Sequence, residues 1–258
     1  MFTLDKWYLD LVTDEGTAIV AYSARLAWGR ARVGYASTLV SRPNAPAEEH
    51  SVYGHVAAPA CEGDRITWSH PALRLRGAWH ALAAPIDARL LDHADGRIDW
   101  HCAMPRSRVT IDLDDVRHSG LGYVEQLTLT IPPWKLPFDR LRWGRYTSES
   151  QALVWIAWSG ADARQFVWHD GVPQPDAIID DRGVRGLQGG AELHFGEARD
   201  VCARPALARL VDRLPSPVQS LAAPVAAMFE HKMLAPGQVV LAGTPLNSGW
   251  SLYEEVRW

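Results

Sequence analysis

The sequence predicts an all-β protein built as two consecutive lipocalin-like antiparallel halves, barrel or sandwich, with one or two short helices near the C-terminus. Three observations lead there. Short segments of alternating apolar and polar residues recur along most of the chain. Turn-forming clusters rich in Gly, Pro, Asn and Asp separate them. Helical periodicity is confined to one stretch before the C-terminus.

Residues 7–12 and 16–22 flank the turn Thr13-Asp14-Glu15-Gly16 and form a hairpin. Residues 31–40 alternate at period two, and the Pro- and Asn-containing run from Ser41 to Ala47 is a loop. Short strands follow at 65–69, 73–76, 79–83 and 88–92. A turn at 93–96 precedes two further alternating segments, 97–102 and 108–113. Residues 123–131 alternate cleanly, and 152–158 and 164–169 make another hairpin. Residues 238–242 and 250–258 close the fold. Helices are expected at 204–213, where Ala206, Leu207, Leu210 and Val211 share a face, and at 220–231. A weak internal echo divides the chain. Lys6-Trp7, a polar turn and the strand at Ala18 resemble Arg142-Trp143, a polar turn and the strand at Ala152. The expected domains are residues 1–131 and 132–258.

At 258 residues, 47% hydrophobic and 22% charged, the chain can bury a core without disulfides or a metal. A net charge of −4 and the lack of a Lys/Arg block point away from nucleic acid and anionic membrane surfaces. Cys61, Cys102 and Cys202 are too far apart for a CxxC site and odd in number. Asp5, Asp10 and Asp14 spoil any signal-peptide pattern, and no apolar run is long enough to span a bilayer. A reduced, cytoplasmic protein is expected. Twelve tryptophans against five phenylalanines stand out. They suit either the wide faces of a β core or an aromatic-lined cavity.

No GxSxG elbow, P-loop, HExxH or dinucleotide fingerprint is present, and the histidines lack ligand spacing. No metal and no cofactor are expected. The informative segment runs from His118 to Ile131. Gly120 and Gly122 permit a turn or a close backbone approach. Tyr123 and Glu125 are two residues apart on a strand and share a face with Leu127 and Leu129. A carboxyl group on an apolar face either pairs with a cation, Arg142 or Arg145 being candidates, or stays protonated as a usable acid. The following Pro/Trp/Arg-rich run, 132–146, reads as an ordered crossover or as a pocket rim presenting Trp143 and Arg145.

At Gly120-Leu-Gly-Tyr-Val-Glu125, Pro133-Trp134 and Leu141-Arg-Trp-Gly-Arg145, the chain resembles the hydroxyneurosporene synthase (carotenoid 1,2-hydratase) group. That group belongs to the lipocalin-like superfamily that also includes tocopherol cyclase. The resemblance covers about residues 99–158, with weaker support from the C-terminal end. It implies two lipocalin-like β-domains with an apolar pocket near their junction, and acid chemistry on isoprenoids or polyenes without metal or cofactor. The family's acid is an aspartate with a tyrosine two residues before it; here the matching positions hold Glu125 and Tyr123. The extra methylene of Glu displaces the acid by about 1.5 Å. The family also uses an upstream histidine and tryptophan, for which Trp100-His101 is the nearest match, at a different spacing.

The expected activity is cofactor-independent, acid-catalysed hydration or cyclisation of a small hydrophobic molecule. Glu125 and Tyr123 would be catalytic, and Trp100, His101, Trp134, Trp143, Arg145 and Trp155 would contact substrate. The alternatives are a non-catalytic carrier of a lipid or pigment, in which Glu125 is ion-paired, and a structural protein without ligand.

Overall fold

The computed structural model describes residues 1–205 and 228–257. Its regular structure is two ten-stranded antiparallel sheets with three short 3-10 turns. The first sheet contains β1 (Phe2–Val12), β2 (Ala18–Trp28), β3 (Ala31–Ser41), β4 (Glu48–Tyr53), β5 (Ala60–Glu62), β6 (Arg65–His70), β7 (Leu75–Ala81), β8 (Ile86–His93), β9 (Gly96–Leu113) and β10 (Val116–Leu129). Its order is β4-β3-β2-β1-β10-β9-β7-β6-β5, and β8 also pairs with β9. The second sheet contains β11 (Phe138–Thr147), β12 (Ala152–Gly160), β13 (Arg164–His169), β14 (Val172–Pro173), β15 (Ile178–Asp180), β16 (Gly183–Arg185), β17 (Ala191–Phe195), β18 (Arg199–Pro205), β19 (Phe229–Leu241) and β20 (Thr244–Arg257). Its order is β14-β13-β12-β11-β20-β19-β17-β16-β15, with β18 on β19. Strand for strand, the second sheet repeats the first with an offset of ten. The internal echo falls at equivalent places, β1–β2 and β11–β12.

Two compact units result, Met1–Pro132 with Thr147–Ala152, and Pro133–Tyr146 with Leu153–Trp258. In the first, Trp7, Leu9, Leu11, Ile19, Trp68, Trp79, Ile111 and Val124 pack together on one face of the sheet. Burial of each such side chain contributes about 1.5–3 kcal/mol. The indole N–H of Trp79 donates to the backbone oxygen of Asp10 at 2.9 Å, and that of Trp68 to Ala57 at 3.0 Å. In the second unit Tyr146, Leu153, Trp155, Val167, Leu193 and Val239 play the same part. Tryptophan therefore fills both interiors.

Several strands differ from expectation. The segments at 97–102 and 108–113 are one eighteen-residue strand, β9, which pairs with β8 along its first part and β7 along its second. The crossover expected at 132–146 contains a central strand, β11, whose arginines are neutralised by partners: Arg140 and Arg142 on Glu255, and Arg142 on Asp181 at 2.6 Å. Gly120 and Gly122 lie inside β10. A Cβ at Gly122 would stand 2.0 Å from the Asp10 carbonyl oxygen, so glycine is required for β1 to approach. The expected helices at 204–213 and 220–231 lie mostly outside the described residues. Their described ends are strand: Arg204 and Pro205 in β18, and Phe229 to His231 in β19. Among the described residues no helix is long and apolar enough to cross a membrane.

Candidate active site

Strands β1 and β10 pair without interruption, so Tyr8 stands opposite Glu125, Leu9 opposite Val124 and Asp10 opposite Tyr123. Opposite residues share a sheet face. Leu9 and Val124 enter the apolar interior. Tyr8, Asp10, Tyr123 and Glu125 point to the other face, and that face is buried as well: Tyr123 and Asp10 are 0% exposed and Glu125 5%. The strand thus carries two buried faces here, one wholly apolar and one bearing ionisable groups.

Glu125 is held by two neutral donors of the same unit. The indole N–H of Trp100 on β9 donates to its Oε2 at 2.5 Å, and the phenol of Tyr123 donates to the same oxygen at 2.7 Å. The Tyr8 ring lies edge-on to Tyr22 at 5.3 Å and to Tyr123 at 6.0 Å, which extends the aromatic surface around the acid. Cys102 is fully buried beside them, its thiol hydrogen-bonded with Tyr123. Burial, then neighbouring Cys102 and Glu125, pushes the Tyr123 phenol well above its ordinary range, so it remains a donor. Burial likewise pushes the Cys102 thiol far up, which makes it a poor nucleophile.

Of the expected pair Trp100-His101, only Trp100 joins the acid. His101 faces the opposite way, 2.7 Å from Asp87 and opposite Gln126 on β10. The remaining candidates belong to the second unit. Trp134 sits half-buried in a 3-10 turn, Pro133–Lys135. Trp143 is buried with the Lys232 ammonium 5.8 Å above its ring. Arg145 is fully buried and donates to the Trp250 carbonyl at 3.0 Å. Trp155 is core, packed over Gly144 and against Phe195 and Tyr253. Tyr8, Asp10, Tyr22 and Cys102 were not expected at the site. The signal for Asp10 was available: a lone acid at alternating spacing in the apolar strand 7–12.

The duplication supplies an internal comparison. His231 stands opposite Glu255 and Lys232 opposite Glu254 on β19–β20, as His101 stands opposite Gln126 on β9–β10. Aligned on these pairs, Glu254 occupies the place of Glu125, and Lys232 that of Cys102. In the second unit the acid is ion-paired: Lys232, 0% exposed, contacts Glu254 directly and Glu230 at 3.2 Å. In the first unit the corresponding acid meets an indole and a phenol. Among the described residues no group of three His, Cys, Asp or Glu is placed to hold a metal ion.

No family model and no curated protein matches this sequence. Solved structures share its fold. An AttH-like protein from Nitrosomonas europaea superposes with a TM-score of 0.59 at 11% identity, covering 99% of this chain and 91% of that one. CghA, solved with Sch210972, gives 0.60 at 11% identity, covering 99% and 88%. Kievitone hydratase from Nectria haematococca gives 0.54 at 12% identity, covering 98% and 88%. At such identities the likeness establishes a duplicated lipocalin-like β fold.

Proposed function

We propose that the protein is a cofactor-independent enzyme that protonates a small hydrophobic substrate from Glu125, leading to hydration or cyclisation. The observation that carries this reading is the convergence of Trp100 and Tyr123 on a single oxygen of a buried carboxyl group. Two donors on one carboxyl oxygen hold the group in a fixed orientation. Burial favours the neutral form of the acid, and protonation of an alkene requires it. The cation formed by proton addition is stabilised by aromatic faces within about 6 Å, which Tyr8, Tyr22, Tyr123 and Trp100 supply around the acid. Water capture gives an alcohol, and capture by a group within the substrate gives a ring. The hydratase name carried by one structural relative, and the isoprenoid and polyene substrates implied by the Gly-x-Gly-Tyr-x-acid element, support the substrate class.

The test is turnover of a panel of apolar alkenes and polyenes in deuterated water, read by mass spectrometry. In deuterated water hydration adds one D2O, leaving a deuterium on carbon beside an exchangeable hydroxyl, and cyclisation adds one deuterium on carbon with loss of one proton. Glu125→Gln should lower turnover about 10²–10⁴-fold, the usual contribution of a general acid. Unchanged turnover in that variant removes Glu125 from the chemistry.

A further inference from the structure

The face of β8–β9–β10 opposite Glu125 carries a groove of about 380 Å³, lined by Asp87, Ala88, Arg89, Asp99, Trp100, His101, Gln126 and Thr128. Pairing registers place six of these in two rows across three strands: Asp87–His101–Gln126 and Arg89–Asp99–Thr128. We propose that this groove is a binding site for a neutral polyhydroxylated ligand of about one sugar ring; it shares Trp100 with the acid site and does not depend on that site's assignment.

The argument rests on which polar atoms are committed and which are open. The charges are already matched. Asp99 accepts from Arg89 at 2.9 Å and from Arg97 at 2.6 Å. Arg89 also reaches Asp92 at 3.5 Å. Asp87 Oδ1 and His101 Nδ1 share a hydrogen bond of 2.7 Å. A charged ligand would have to break one of these pairs. The uncommitted atoms are neutral. Nε2 of His101, on the far side of the ring, is open and can hydrogen-bond in either tautomer. Gln126 donates its amide to Asp5 at 2.7 Å, which leaves Oε1 as an acceptor. Among the described residues the Thr128 hydroxyl has no partner. Strands about 4.8 Å apart, with rows about 6.6 Å apart, present these atoms as a fixed grid. A group facing such a grid must both donate and accept at several points without net charge, which is the chemistry of vicinal hydroxyls. The volume lies at the lower end of the range of about 300–1,000 Å³ for small-molecule sites.

The experiment is nitrogen-15 correlation NMR of the full chain titrated with methyl glucoside, methyl galactoside, methyl mannoside and myo-inositol. Saturable shifts of the Gln126 side-chain amide and the His101 ring are expected with at least one of them. His101→Ala and Gln126→Ala, both at the surface end of the fold, should each weaken that binding about tenfold with unchanged thermal unfolding. Glu125→Gln should leave it unchanged. No saturable shift with any of the four compounds overturns the proposal. So do shifts that appear with inorganic phosphate or acetate instead, or shifts centred on Tyr123 and Glu125.

Discussion

Glu125→Gln separates a protonated acid from a structural anion by stability alone, without knowledge of the substrate. Gln is nearly isosteric with the neutral acid. Its carbonyl oxygen accepts from Trp100 and Tyr123 as Oε2 does, and it does not titrate. A carboxyl that works as an acid at neutral pH must keep its proton to about pH 7, against about 4.3 in the unfolded chain. A folded pKa raised above the unfolded value stabilises the fold fully below the unfolded pKa, and this contribution is lost as pH rises through the folded one. Each unit by which the folded pKa is raised is worth about 1.36 kcal/mol. The wild type should therefore match the variant near pH 4 and fall progressively behind it as pH rises toward 8. Burial drives this shift, and the two donors oppose it because they bind the anion more strongly than the neutral acid. Urea unfolding of both proteins across that range, followed by tryptophan fluorescence, gives the difference. Contributions from other titrating groups cancel in it. A difference that is flat, or that favours the wild type more as pH rises, marks Glu125 as an anion and refutes the acid.

Trp100→Phe removes one donor from Oε2 and should raise the pH at which the proton leaves Glu125; carboxyl infrared difference spectra against Glu125→Gln check this, and a fall in that pH contradicts it. Lys232→Met leaves Glu230 and Glu254 buried without their cation and should cost about 3–5 kcal/mol in urea unfolding, with much of it restored in the double variant carrying Glu254→Gln; a loss below about 1 kcal/mol rejects a structural ion cluster. Gly122→Ala drives a Cβ against the Asp10 carbonyl and Val109 and should destabilise by about 3 kcal/mol or more, measured by thermal unfolding. Of the three thiols, exposed Cys61 should react first with a disulfide reagent near pH 8, half-buried Cys202, pushed up to about 12 by burial and Glu230, should react more slowly, and buried Cys102 should wait for unfolding.

What was legible in the sequence follows from how strands bury their faces. The hairpins at 7–22 and 152–169 were readable from the polar turns between their apolar strands, Thr13–Gly16 and Ser159–Asp162, because the strands themselves are buried on both faces beside those turns. β11 was not, because Arg140 and Arg142 break its apolar pattern and become tolerable only through Glu255 and Asp181, more than thirty residues away in sequence. β9 was cut in two by Pro105, yet it remains one strand because its two parts pair with different neighbours, β8 and β7. Spacing alone put Tyr123 and Glu125 on one face, and the structure agrees. It could not place that face outside the apolar interior, because Val124 between them is buried too.

On the proposed reading, the comparison between the halves gives one acid a reactive setting and its counterpart a structural one. Both sheets place a carboxylate at the same point of the same strand, Glu125 on β10 and Glu254 on β20. A duplicated strand therefore supplied the position twice, and the neighbour on the preceding strand decided its chemistry. Lysine at 232 fixes Glu254 as an anion, since a buried ammonium beside a carboxylate favours the charged form of both. Cysteine at 102 brings no charge, and burial holds it as a neutral thiol. With Trp100 and Tyr123 as donors, the first-half acid sits among groups that orient it without donating a proton to it. Installing the second-half arrangement in the first half by Cys102→Lys should therefore abolish proton delivery by creating an ion pair with Glu125. Retention of full turnover in a folded Cys102→Lys protein would separate the acid chemistry from this site.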